Sequence, residues 1–267
     1  VEHHAVRKVA ERRLWYYGHM KLLTLNVWGG KKPDLLKDFF KQYRQEIDIF
    51  CLQEVNNFSP DADLDDPERM PDILSHIDQT LKNYQYFFRP SIKEPYGLTA
   101  FVHKKRTVEK EGDTFVSGNR EDGINYGGRK DHTRNVQYLQ LTADETTIFV
   151  HNFHGMWSAE GKIDTERRIQ QSKNLASHLR KHDGPQIVCG DFNMRPDIKS
   201  MEIIESAGFR NLVTESGVTD TRTSFYDKDE RFADYILASS GITVNDFQVL
   251  PDEVSDHAPL LLDFSIL

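Results

Sequence analysis

Six segments of this chain carry a carboxylate, a carboxamide or an imidazole where an apolar run ends or begins. LTLN ends at Asn26, FCLQE at Glu54, VHNFH at Asn152 and His154, and VCGDFN at Asp191 and Asn193. RFAD brings Asp234 to the start of an apolar run, and VSDH places Asp256 and His257 just ahead of the last one. Taken singly, each has an ordinary explanation: Asn26 as a turn residue, Glu54 as a solvated strand end, His154 as a satisfied histidine, Asp234 as a partner of Arg231. Their joint occurrence points elsewhere. In GDFN the two-residue spacing puts Asp191 and Asn193 on one face of a strand. If the strand tips share one edge of a sandwich, these groups converge on a cleft whose composition suits a hard divalent cation together with acid and base groups.

Positioning such tips requires strands that run to a common edge, and from Met20 the sequence alternates accordingly. KLLTLNVWG predicts a strand, and PDLLKDFFKQYRQ predicts a helix through Leu35, Leu36, Phe39, Phe40 and Tyr43. DIFCLQEV is a second buried strand, and PDILSHIDQTLKNY is a helix with Ile73, Leu74, Ile77 and Leu81 on one stripe. YQYFFRP and GLTAFVHK predict antiparallel neighbours, and NVQYLQLTA with TTIFVHNFHG a hairpin around ADET. Residues 163–182 predict a long amphipathic helix through Ile169, Leu175, Ala176 and Leu179, followed by the strand PQIVCGDFN, a short helix near KSMEIIESAG, and the strands FADYILAS and HAPLLLDFSIL. Residues 117–134, with four glycines and no periodicity, predict a loop. Each half thus holds a strand, helix, strand unit with β-rich connections. That mixture predicts two mixed sheets packed face to face with helices outside, rather than one doubly wound parallel sheet.

Composition bounds the alternatives. At 267 residues and 38% hydrophobic content, the chain can bury a sizeable core. The first 19 residues, basic and aromatic, differ from the rest of the chain and read as a tag or an upstream extension ahead of Met20, leaving 20–267 as a single domain. They carry Arg7, Lys8, Arg12 and Arg13 against Glu2 and Glu11, so without them the net charge of −8 deepens to −10. Such a chain makes a poor general clamp for duplex nucleic acid, though a local basic groove stays open. Cys51 and Cys189 each lie in an apolar run and are expected as buried free thiols. With no apolar stretch of membrane-spanning length and no signal-peptide pattern, the expectation is a cytoplasmic monomer with an unmodified Asn57 sequon. DADLDDPERMPD mimics the start of a calcium loop, but Asp66 stands where glycine is required and Asp72 where a bidentate Glu belongs, which leaves an acidic surface loop.

In order and spacing, TLNVWG, DIFCLQEV, VHNFHG, GDFN, the Asp of FADYIL and SDHAPL resemble the motifs of the endonuclease/exonuclease/phosphatase superfamily of DNase I-like enzymes. The resemblance runs from Met20 to Leu267. It implies a four-layer α/β sandwich that hydrolyses phosphoesters with Mg²⁺ or Mn²⁺. Under it Glu54 is the principal metal ligand, with Asn26 beside it and Asp256 at or near the metal. Asp191 orients or deprotonates the attacking water and Asn193 helps hold water and phosphate. His154 and His257 donate to phosphate oxygens, and Asp234 orients His257. Either Asp191 or His257 is the base. Arg168 and Gln171 resemble supporting residues on the helix before GDFN. Each type has a reason: a phosphodiester repels hydroxide, a cation screens it, imidazole donors stabilise the crowded transition state, and a carboxylate activates water for in-line attack.

Departures from the family pattern narrow the substrate in part. Val55 and Asn56 after Glu54, and His154 in place of a tyrosine, differ from the AP-endonuclease branch. Asn152 and Arg134 are further candidates for holding the substrate phosphate, and Arg120, Arg129, Lys130 and Tyr126 could serve from the 117–134 loop. Two histidine donors and a carboxamide, without a further cluster of cations, favour phosphodiesters, including nucleic acid. Inositol or sugar phosphate monoesters and a sphingomyelinase-like lipid substrate are the alternatives, and a catalytically silent binding module is the reading from another class.

Overall fold

Alternation in the first strand already assigns two faces: Met20 and Leu22 join one apolar cluster, Leu23 and Leu25 another. The computed structural model of the chain describes residues 19–58, 68–91, 95–119, 124–126, 129–131, 133–143 and 146–267. Its strands are β1 (His19–Asn26), β2 (Ile49–Asn56), β3 (Tyr84–Pro90), β4 (Tyr96–His103), β5 (Thr107–Ser117), β6 (Ile124–Tyr126) and β7 (Arg129–Asp131). Next come β8 (Arg134–Ala143), β9 (Thr146–His154), β10 (Gln186–Asp191), β11 (Phe209–Asn211), β12 (Asp234–Ser239), β13 (Ile242–Val249) and β14 (Leu260–Ile266). The helices are α1 (Pro33–Tyr43), α2 (Ile73–Thr80), α3 (Glu166–Leu179), α4 (Lys199–Glu205) and α5 (Leu212–Glu215).

The strands form two six-stranded sheets, ordered β13-β14-β1-β2-β4-β3 and β11-β12-β10-β9-β8-β5. At the centre of each lies one parallel pair joined through a helix, β1 and β2 through α1, β9 and β10 through α3; all other pairings are antiparallel. Read as β1-β2-β4-β3 and β9-β10-β12-β11, the two sheets have the same strand topology. The final hairpin β13–β14 returns to flank β1, as β5 and β8 flank β9.

Between the sheets lies a core of residues such as Leu22, Ile49, Cys51, Ala100, Val150, Ile187, Cys189 and Leu262. Cys51 of the first sheet meets Cys189 of the second there, both free thiols. Outside the first sheet, Leu36, Phe39 and Phe40 of α1 and Ile73, Leu74 and Ile77 of α2 pack on Leu23, Leu25, Phe50 and Phe101. Each such buried side chain stabilises the fold by roughly 1.5–3 kcal/mol. Pro33 starts α1 at a position that tolerates a missing N–H, and Asp72 and Thr165 cap α2 and α3 by accepting from Ser75 and Arg168 N–H.

Three details differ from the sequence-based expectations. Leu35 is 46% exposed, because the buried stripe of α1 begins one residue later at Leu36. Strands β5, β11 and β13 were not anticipated; β5 is mostly polar and β13 half polar, as suits sheet edges that must not pair further, and β11 is only three residues long. Part of the expected 117–134 loop is a two-stranded antiparallel hairpin, Ile124–Tyr126 against Arg129–Asp131. Residues 1–18, Arg120 and most of the acidic loop, 61–67, lie outside the described residues, as do the side chains of Tyr126, Arg129 and Lys130.

Candidate active site

The parallel pairs carry the site because the C-terminal ends of β1, β2, β9 and β10 share one edge of the sandwich, and the antiparallel neighbours start there. Register puts Asp191 beside His154 on one side and Asp234 on the other, and Asn26 beside Gln53. Two backbone irregularities complete the convergence. A register shift between Leu52 and Val55 and a positive φ of 57° turn Glu54 out of strict alternation. Asn193 has φ 53°, and its N–H donates to Asp191 Oδ1 at 2.9 Å, closing a tight turn after β10. Non-glycine residues in this left-handed region store strain that neighbouring contacts must offset.

Asp191 is the hub. Its Oδ2 accepts from Asn26 Nδ2 at 3.0 Å and Asn193 Nδ2 at 3.3 Å, with His154 Nε2 at 3.5 Å and His257 Nε2 at 3.7 Å. Asn26 Nδ2 also donates to Glu54 Oε1 at 3.2 Å, so one carboxamide touches carboxylates from both sheets. His257 Nδ1 lies 2.8 Å from Asp234 Oδ2, which fixes the ring with its N–H on Nδ1. Ser255 Oγ donates to Asn26 O at 2.7 Å and accepts from His257 N–H at 3.2 Å, tying the SDH segment to the end of β1. Asp256 pairs with Arg222 Nη1 at 2.9 Å, and its Oδ1 is 3.8 Å from His257 Nε2. Behind the site, Arg168 donates to the carbonyls of Met156, Gly161 and Ile163, and Gln171 Oε1 accepts from Met156 N–H at 3.0 Å, so α3 holds the segment after His154.

Burial sets the electrostatics. It pushes Asp191 above the ordinary carboxylate range, with Asp234 adding to the rise, against the opposing pull of His257, Arg222 and Lys162. Burial likewise raises Asp234, to about 7, and lowers His257, to about 4, with Arg222 adding to the latter, so the buried pair favours a neutral imidazole. Glu54 differs. Burial would raise it, but Arg69, His257, the Asn26 hydrogen bond and Arg134 together hold it below the ordinary value.

The structure brings Asn26, Glu54, His154, Asp191, Asn193, Asp234, Asp256 and His257 to this one place. Asn152 does not reach it. Its carboxamide accepts from Gln53 at 2.7 Å and donates to Leu52 O, Thr99 O and Gln137 Oε1 in the sheet interface, two residues deeper than His154, so it stitches the sheets together and is not free to hold a phosphate. Arg134 donates through Nε to Gly155 O at 2.9 Å, and among the described residues its buried Nη1 has no hydrogen-bond partner. Asp234 pairs with His257, while Arg231 goes to Asp220.

Three cations escaped the sequence reading: Arg69, 3.4 Å from Glu54; Arg222 on Asp256; and Lys162, which burial and Arg222 lower to about 8 beside Asp191 and Asp234. They lie on connecting segments, where no periodicity marks them. The expected lack of a cation cluster is therefore corrected. The oxygen donors of Glu54, Asp256 and Asn26 fit a hard divalent ion such as Mg²⁺ or Mn²⁺, and cations already neutralise both carboxylates.

Comparison with known proteins identifies a family and a fold. The sequence profile described as Endonuclease/Exonuclease/phosphatase family matches residues 23–257. A UPF0294 protein from Photorhabdus laumondii is 28% identical over 126 residues, 47% of this chain and 46% of that protein, so the match spans about half the length of the curated relative. Among solved structures, a mannosyl-6-phosphatase from Bacteroides thetaiotaomicron superposes with a TM-score of 0.72 at 15% identity, covering 92% of this chain and 100% of that one. D. rerio TDP2 complexed with a single-strand DNA product gives 0.68 at 14% identity, covering 92% and 99%. At these identities the superpositions establish the shared fold.

Proposed function

Because the chain belongs to the endonuclease/exonuclease/phosphatase family of metal-dependent phosphoesterases, we propose that it hydrolyses phosphoester bonds with a divalent cation and prefers phosphodiesters, oligonucleotides among them. The observation that carries the reading is the ring around Asp191: two carboxamides and two imidazoles, drawn from both sheets, aimed at one carboxylate.

In this mechanism Glu54, with Asn26 and Asp256, would hold Mg²⁺ or Mn²⁺, which when bound supplies charge neutralisation and polarises a phosphoryl oxygen. Asp191 is the base. Its burial-raised pKa makes it a better proton acceptor than an ordinary carboxylate, and Asn26 and Asn193 fix its orientation. His257 takes up a proton at Nε2 as the anionic substrate arrives, Asp234 stabilises the imidazolium through Nδ1, and Nε2 then donates to a phosphate oxygen. His154 donates from the other side of Asp191, and Arg134 Nη1 adds a further donor.

The preference for oligonucleotides is supported by Trp28 and Phe225. Their rings lie 6.3 Å apart close to Asn26 and Arg222 in the chain, with Lys31 over the first and Lys32 over the second, a combination that suits base stacking beside a phosphate backbone. A second reading, monoester hydrolysis, is favoured by Arg69, Lys162 and Arg222, which suit a dianion. The two structural neighbours stand on either side of this choice, one a sugar phosphatase and the other bound to single-strand DNA.

The deciding assay is hydrolysis of a chromogenic phosphodiester with Mg²⁺ or Mn²⁺, with and without chelator. Turnover abolished by chelator and restored by metal is expected. Chelator-insensitive turnover would overturn the metal chemistry, and no turnover on any phosphoester would leave a binding module as the better reading. Rates on a single-stranded oligonucleotide, a duplex, an inositol polyphosphate, a sugar monophosphate and sphingomyelin then rank the substrates. A faster monoester overturns the diester preference while leaving the metal chemistry in place.

A further inference from the structure

At the other end of β10 from Asp191, and on the outer face of the second sheet, three imidazoles meet. They are His151 on β9, His178 in the last turn of α3 and His182 in the turn that continues past it, and their ring nitrogens lie within 4.8 Å of one another. His151 is fully buried, His178 is 3% exposed and His182 is half-buried. Ring centroids are 5.2, 5.3 and 4.9 Å apart, and Phe149 and Tyr138 wall the cluster.

Mere aromatic packing leaves two buried groups unexplained. Among the described residues, neither His151 Nδ1 nor His178 Nε2 has a hydrogen-bond partner. Leaving such buried nitrogens unsatisfied destabilises the fold. The other nitrogen of His151 is committed. Its Nε2 lies 3.1 Å from Gln186 Oε1, which can only accept, so the proton sits on Nε2 and the Nδ1 lone pair is exposed toward the cluster. Gln186 Nε2 in turn donates to His182 O at 2.7 Å, so one amide orients both the ring of His151 and the backbone that carries His182. A ligating imidazole whose second nitrogen donates to a fixed oxygen is the arrangement that metal sites use to hold a ring. His178 and His182, with three residues between them, also have a spacing common to paired zinc histidines.

We propose that His151, His178 and His182 form a second metal site, for a divalent ion of the zinc class, which clips the C-terminal end of α3 onto β9. An all-imidazole donor set selects zinc, copper, nickel or cobalt over the magnesium or manganese suited to the oxygen donors of Glu54 and Asp256. The two sites are separate, since Gln186 and Asp191 lie at opposite ends of β10, about 17 Å apart along an extended strand. Nitrogens around tetrahedral zinc stand about 3.4 Å apart, so the ion draws the rings together. His182, half-buried and beyond the last residue of α3, is the most exposed of the three.

The test uses the full chain, stripped with chelator and titrated with Co²⁺ and with Zn²⁺ in excess Mg²⁺, which occupies the oxygen-donor site. One equivalent of Zn²⁺ by calorimetry, a tetrahedral or five-coordinate Co²⁺ absorption band and a rise in thermal midpoint of several degrees are expected. His182→Asn should weaken that binding by about tenfold or more and abolish the thermal rise, with far-UV circular dichroism and phosphoester turnover unchanged. Glu54→Gln should leave the equivalent intact, which separates this site from the proposed catalytic one. Equal Zn²⁺ binding by the unsubstituted chain and His182→Asn, or no binding and no thermal shift in either, would overturn the proposal and leave the cluster as packing alone.

Discussion

Asn26 Nδ2, at the end of the first sheet's β1, lies 3.0 Å from Asp191 Oδ2, at the end of the second sheet's β10. The same nitrogen reaches Glu54 Oε1 at 3.2 Å. This carboxamide therefore couples the position of the proposed metal ligand to that of the proposed base. Asn26→Ala is expected to lower turnover roughly tenfold to a hundredfold through misplacement of both groups. It should destabilise the fold by about 1–3 kcal/mol, because buried hydrogen-bonding groups lose their partner. Kinetics and urea denaturation on the same preparation check both.

Removal of the chemistry itself should be more severe. Asp191→Asn and His257→Ala are each expected to reduce turnover by at least roughly a hundredfold, as for loss of a base or of a transition-state donor. Glu54→Gln weakens a ligand instead, so part of its loss should return at high Mg²⁺ or Mn²⁺. Three variants that keep near-normal rates and metal dependence, with folding confirmed by circular dichroism, would show that the reaction happens elsewhere.

Acid should destabilise the metal-stripped chain through its buried histidines. Burial lowers His178 to about 4, helped by His182 and Lys181, and depresses His151 and His182 in the same direction. A folded pKa below the unfolded value means that the unfolded chain binds more protons. The stabilisation is thus fully present above pH ~6.5 and lost as pH falls through about 4. For His178 alone the shift corresponds to something on the order of 3 kcal/mol. Denaturation midpoints measured from pH 8 to pH 4 should fall through this window, and less steeply in His178→Phe if that variant folds.

Gly155 admits a close backbone approach that any side chain would block. A Cβ there would stand 2.1 Å from Phe192 O, while the residue's own N–H donates to Asp191 O at 2.7 Å and its carbonyl accepts from Arg134 and Asn193. Gly155→Ala is expected to destabilise by about 1–3 kcal/mol or more and to lower turnover by displacing the turn that holds Asp191 and Asn193. A thermal midpoint and rate equal to those of the unsubstituted chain would show that this turn yields without consequence.

The strand tips were legible in the sequence because period-two alternation is strong in buried strands, so the residue at each tip inherits a face. That logic places Asn26, His154 and Asp191 correctly, and it also explains the misplacement of Asn152. Asn152 shares the face of His154 but sits one pleat deeper, where that face meets the opposite sheet rather than the cleft. Glu54 breaks alternation by a bulge and a left-handed φ, a local detour without a pattern of its own. Arg69, Lys162 and Arg222 approach from connecting segments, whose course depends on tertiary packing. The edge strands β5 and β13 were hidden because solvent on one side lets polar residues interrupt the apolar period.

Strand β14 is the last of the fold to be synthesised, yet it pairs antiparallel with β1, the first, from His19 opposite Ser265 to Thr24 opposite Leu260. The segment just ahead of it delivers Asp256 and His257. A chain still emerging from the ribosome can thus assemble the second sheet, whose strands β5 and β8 to β12 are complete earlier, while β1 waits with an open edge and the cleft lacks His257. Because chain ends must find each other, this closure is a slow, long-range step in folding. The proposed site is therefore complete only once the segment carrying Asp256 and His257 has been made and β14 has paired with β1.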